Sequence, residues 1–74
     1  MNKEYLQKFA NHLKKLRKEL GLTQDDIANE DISRAMVSLV EIVKTDITLS
    51  KIKAIADSMN MPVRDLFAFE NEEN

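Results

Sequence analysis

The sequence has no cysteine, one histidine, one glycine and one proline in 74 residues. Without cysteine, neither a disulfide nor a thiolate-held metal can reinforce the fold. A single histidine, His12, does not make a metal site by itself. No apolar run is long enough to cross a membrane as a helix. The opening stretch MNKEYLQKF lacks the apolar core of a secretory signal. The chain is therefore expected to be cytoplasmic, with one thin core that packing must stabilise, either alone or together with pairing to a second copy. No Ser/His/Asp constellation or phosphate-binding loop is present, so the sequence predicts neither an enzyme nor a cofactor or metal site.

Net charge is −2, which is not the strongly basic footprint of many nucleic-acid-binding domains. Its distribution is uneven. Residues 1–18 carry Lys3, Lys8, Lys14, Lys15, Arg17 and Lys18 against Glu4 alone, whereas residues 19–74 carry five basic and twelve acidic side chains. Such asymmetry gives either one positive face or simply a solvated helix surface.

Scarce glycine and proline, with 43% hydrophobic residues, point to helices. Leu6, Phe9, Leu13, Leu16 and Leu20 recur at steps of three and four, which places them on one helical face. This first helix should run from about residue 3 to Leu20, and Gly21 supplies the permissive backbone that ends it. Thr23 with Asp26 has the spacing of a capping box and opens a short second helix. That helix has Ile27 and Ala28 inside and an end near Glu30. Asp31 starts a tight turn, and Ser33 caps a third helix with Ile32, Val37 and Val40 as core contacts. Residues 44–47 form a loop. Thr48 caps a fourth helix, with Leu49, Ile52, Ile55, Ala56 and Met59 on its inner face. Asn60 suits the left-handed conformation that closes a helix. Pro62 opens a last short helix from Val63 to about Phe69. Residues 1–69 thus read as one all-α, five-helix domain and residues 70–74 as a polar, frayed tail.

Two short helices joined by a tight turn suggest a helix-turn-helix. Within residues 16–67 the pieces LRKELGLTQ, the I-A of DDIA, ISR, S-x-x-E at residues 38–41, ITL and KAIADSMNMPVRDLF stand in order. With them the chain resembles the Cro/repressor (XRE-like) family. The resemblance implies a compact phage-repressor-type domain that binds double-stranded DNA as a homodimeric transcriptional regulator. Its size is similar to that of the small controller proteins of restriction–modification systems, and a prophage regulator or an antitoxin would share these features.

By position, the resemblance assigns Gln24 to backbone phosphate; its lesser alternative is a cap for its own helix. It assigns base contacts to Ser33, Arg34, Ala35 and Leu39 on a recognition helix over residues 33–43, with Met36 and Ser38 nearby. Arg34 has the planar fork that binds guanine O6 and N7 together; its alternatives are a phosphate contact or a solubilising charge. Lys44 and Thr45 match a phosphate-touching loop. Arg17 and Glu41 match a structural salt bridge between helices 1 and 3. Met61, Leu66, Phe67 and Phe69 either build a dimer interface or close the monomer core.

Three features depart from the family pattern. The segment between Ala28 and Ser33 is one residue short, and Asp31 stands near the usual turn glycine, so helix 3 is expected to be rotated or to start differently. Ile42 and Val43 replace a basic residue and glycine, which suggests a longer helix 3. The outward face of helix 3 is apolar, with Ala35, Leu39 and Ile42 aligned and Met36 and Val43 beside them. That face reads thymine methyl groups, turns partly into the core, or binds a protein. The rival function is thus a protein-interaction module that uses Leu39, Ile42 and Val43.

Overall fold

The computed structural model describes residues 1–73. It contains α1 (Lys3–Glu19), α2 (Gln24–Ile27), α3 (Arg34–Glu41), α4 (Leu49–Ser58) and a terminal 3-10 helix (Val63–Glu73). Among the described residues there is no strand beyond an isolated bridge between Asn29 and Ile32. The 3-10 helix takes in the start of the expected polar tail, and Asn74 lies outside the described residues.

Each α-helix starts on a side-chain cap. Asn2, Thr23, Ser33 and Thr48 accept hydrogen bonds from the backbone N–H groups of Tyr5, Asp26, Met36 and Lys51. This satisfies donors that the helices cannot pair internally. At α2 the box is reciprocal, because the Thr23 N–H donates to the Asp26 carboxylate at 2.8 Å. That bond, helped by the Thr23 hydroxyl, holds the Asp26 carboxyl below its ordinary pKa.

Three helices end alike. Gly21, Val43 and Asn60 have φ of 70°, 57° and 55°. Around them Leu22, Lys44 and Met61 donate back to the carbonyls of Arg17, Leu39 and Ala56, and Gly21, Val43 and Asn60 donate to those of Lys18, Val40 and Asp57. This paired pattern closes a helix when the residue after the cap is left-handed. Helix 3 therefore stops at Glu41, with Ile42 as its cap, and does not run on through Val43 as expected. The favourable closure outweighs the poor fit of a β-branched residue to that conformation.

The turn between α2 and α3 also differs from expectation. Helix α2 ends at Ile27, not near Glu30, because Ala28 is already extended. Asp31 does not take the left-handed conformation. Asn29 organises the turn instead. Its side-chain oxygen accepts from the N–H groups of Asp31 and Ile32, at 2.8 and 3.2 Å. Its amide nitrogen donates to the Ala54 carbonyl and the Ser58 hydroxyl, at 3.0 and 2.6 Å. A side chain that supplies turn contacts removes the need for a glycine there.

One core joins all five helices. It consists of Phe9 and Leu13, Ile27, Ile32, Val37 and Val40, Ala54, Ile55, Ala56 and Met59, and Leu66 and Phe69. The terminal helix lies along α1, with Phe9 on Phe67 and Tyr5 and His12 on Phe69, ring centres 5.2–5.8 Å apart. His12 is buried and its Nε2–H donates to the Asp65 carbonyl at 2.8 Å. Two residues expected inside are not: Leu20 and Leu49 are exposed, because each lies at a helix end where the packed face has turned away.

Val43 is the strained point. A left-handed L-residue costs roughly 1–2 kcal/mol, and glycine adopts that conformation freely. Val43→Gly should raise stability by about 1 kcal/mol, read as a higher urea midpoint with an unchanged slope. An equal or lower midpoint would show that the half-buried Val43 side chain contributes more than the strain removes.

Candidate nucleic-acid interface

Helices α2 and α3 are held at a fixed relation by one polar network beneath α3. Glu41, in the last turn of α3, is 2% exposed. Its Oε2 accepts from Arg17 Nε at 2.8 Å, and its Oε1 accepts from Arg17 Nη2 and from Gln24 Nε2, both at 3.0 Å. Arg17 Nη1 donates to the Leu22 carbonyl at 2.9 Å. Arg17 thus grips α3 and the α1–α2 loop together. The bidentate contact with Glu41 raises the Arg17 pKa against an opposing effect of burial. A buried carboxylate of this kind is tolerated only with its acceptor sites filled, and no buried side-chain nitrogen or oxygen among the described residues lacks a partner.

The network fixes which side of α3 faces out. Val37, Val40 and Glu41 point inward, and Met36 packs partly against the core. Arg34 and Ala35 are exposed on the first turn, Leu39 is 40% exposed one turn on, and Ile42 is 55% exposed at the cap. Ser38 is half-buried, and the exposed Ser33 uses its hydroxyl as the cap of Met36. The Arg34 side chain has no hydrogen-bond or ion-pair partner among the described residues. Lys44 is exposed and Thr45 half-buried in the loop that follows α3. Glu30, Asp31 and Asp46, all exposed, lie in the segments flanking α3, so the charge around it is of mixed sign.

Three of the expected site residues make contacts inside the monomer. Gln24, assigned to phosphate, donates to Glu41 and is half-buried. Leu66 and Phe69, assigned to a dimer interface, are 0% and 6% exposed and belong to the monomer core. They are turned inward because the 3-10 helix closes over α1, and only the half-buried Met61 and Phe67 of that set keep exposed surface. The sequence reading missed Asn29 as the organiser of the turn. Its signal was an Asn placed two residues before Asp31, the spacing of an Asx turn.

An exposed second helix, set by a tight turn against a short first one, defines a helix-turn-helix domain. The Helix-turn-helix family profile matches residues 13–66, and the chain belongs to that family, in its Cro/repressor (XRE-type) form. This is a family of DNA-binding transcription regulators, not of enzymes. No curated protein is similar enough to the chain to count as a relative. No helix among the described residues is long and apolar enough to cross a membrane.

Removing one partner of a buried pair strands the other charge and costs about 3 kcal/mol or more. Glu41→Ala should therefore lose a large share of the stability of a domain this size. Combining Arg17→Met with Glu41→Leu should recover most of it, because no charge is then stranded. Urea unfolding of the three proteins checks this; a mild effect of Glu41→Ala would mean that water relieves the pair.

Proposed function

We propose that this chain is a sequence-specific transcriptional regulator that binds a pseudo-palindromic DNA site in the cytoplasm as a homodimer. One observation carries the reading: the first residue of α3, Arg34, is exposed and its side chain has no partner among the described residues, on a helix held from below by Arg17 and Glu41. A recognition helix meets base edges with its N-terminal residues. Arg34 donates to guanine O6 and N7. Ser33, Ala35, Met36, Ser38 and Leu39 lie beside it along the groove, and Lys44 and Thr45 approach the backbone from the loop. Gln24 keeps one amide hydrogen for a phosphate while the other serves Glu41. Phosphate contacts of this kind set register and not sequence. An α3 of eight residues covers one half-site, and two copies supply the affinity that one lacks. The surface left for pairing includes Met61 and Phe67.

A second reading, a protein-interaction module, draws on the exposed Leu39 and Ile42. A titration against mixed duplex DNA at two salt concentrations, with mass measured in solution, separates the two. The regulator should bind as a dimer, weaken steeply with salt and prefer certain sequences. Arg34→Ala should lose about 1–3 kcal/mol of discrimination at one base pair and keep its melting temperature. No binding even at low salt would overturn the regulator.

A further inference from the structure

The solvent-facing stripe of α3 is Ala35, Leu39 and Ile42. Ala35 adjoins Arg34 on the first turn and Leu39 lies one turn on, and neither can donate or accept a hydrogen bond from its side chain. Resting on the reading that α3 enters the major groove, we propose that Ala35 and Leu39 read 5-methyl groups of pyrimidines, so that the half-site combines one guanine set by Arg34 with methylated pyrimidine positions beside it.

The chemistry follows from what each base edge offers. Thymine presents one acceptor and a methyl group in the major groove, whereas cytosine presents an amino donor and no methyl. A leucine pressed on a methyl removes apolar surface from water on both sides. The same leucine pressed on an amino group or a carbonyl takes away its water and returns no hydrogen bond. The stripe therefore selects by attraction and by rejection together. Spacing agrees. Residues four apart on a helix are about 6 Å apart along its axis, close to two base steps of 3.4 Å each.

A protein partner is a poorer match for these atoms. A stable protein interface takes about 800 Å² from each side, and three partly exposed side chains on a two-turn helix fall well short of that. The polar groups next to the stripe (Ser33, Arg34 and Ser38) also suit a groove lined with donors and acceptors.

The test starts with sites selected by the unaltered full chain from randomised duplex DNA. In the best site, each thymine is then replaced by deoxyuracil, which keeps every hydrogen-bonding atom and loses only the methyl. Each contacted methyl should cost about fourfold in affinity. At the position read by Leu39, the Leu39→Ala protein should bind the thymine and uracil duplexes equally, provided that it melts as the parent does. Where a selected site carries cytosine, the cytosine and 5-methylcytosine duplexes show which pyrimidine supplies the methyl, and a gain on methylation supports the proposal as a loss on uracil does. If thymine and uracil duplexes bind the unaltered chain equally, and 5-methylcytosine brings no gain, the methyl reading is overturned while DNA recognition stands. If no duplex binds at low salt, the major-groove placement of α3 fails with it, and the stripe is left to a protein.

Discussion

The orientation of this domain's outer face depends on a carboxylate almost wholly withdrawn from water. Glu41 sits in the last turn of α3, 2% exposed, with three N–H donors on its two oxygens. Two come from Arg17 on α1 and one from Gln24 at the start of α2. The planar fork of arginine matches a carboxylate in one geometry, so the contact fixes angle as well as distance. Because Arg17 also holds the Leu22 carbonyl, α1, the α1–α2 loop, α2 and α3 are all tied at one point. Such a pair adds little net stability compared with an apolar replacement. What it supplies here is a defined rotation of α3 about its own axis.

That rotation decides which side chains are available. With Val37, Val40 and Glu41 inside, helical geometry puts Ala35 and Leu39 outside, and Arg34 is exposed because it is the first residue of the helix. The far end of α3 is closed by Val43 in a left-handed conformation, and its near end by Ser33. The turn before it is pinned to α4 through Asn29. Helix α3 is thus set from both ends and from below, which is the rigidity that the proposed reading of base edges requires. The hydrophobic core does the rest: the 3-10 helix buries Leu66 and Phe69 against α1.

Most of this was legible from the residues. The three- and four-residue spacing located the helices, and Thr23, Ser33 and Thr48 marked their starts correctly because capping is a local interaction. Gly21 and Asn60 marked two of the ends for the same reason. Val43 did not, since its intrinsic preference opposes the conformation that the closure imposes. The α2–α3 turn misled in a similar way: Asn29 does through its side chain what a glycine does through its backbone, and that role requires α4, which is distant in sequence. Leu20 and Leu49 fitted the apolar periodicity yet lie exposed, because periodicity says nothing about where a partner surface stops. Leu66 and Phe69 could not be divided between core and interface from spacing alone. The outward stripe of α3 was visible as a pattern, but its exposure depended on a rotation that only the tertiary contacts fix.

The most direct test of the central claim, that the outer face of α3 meets DNA, is to follow the backbone amide resonances of the chain as duplex DNA is added at low salt. The largest shifts should fall at residues 33–39 and in the loop at Lys44 and Thr45, with little change along the 3-10 helix. Shifts confined to the basic stretch of α1, or no shifts at all, would contradict it.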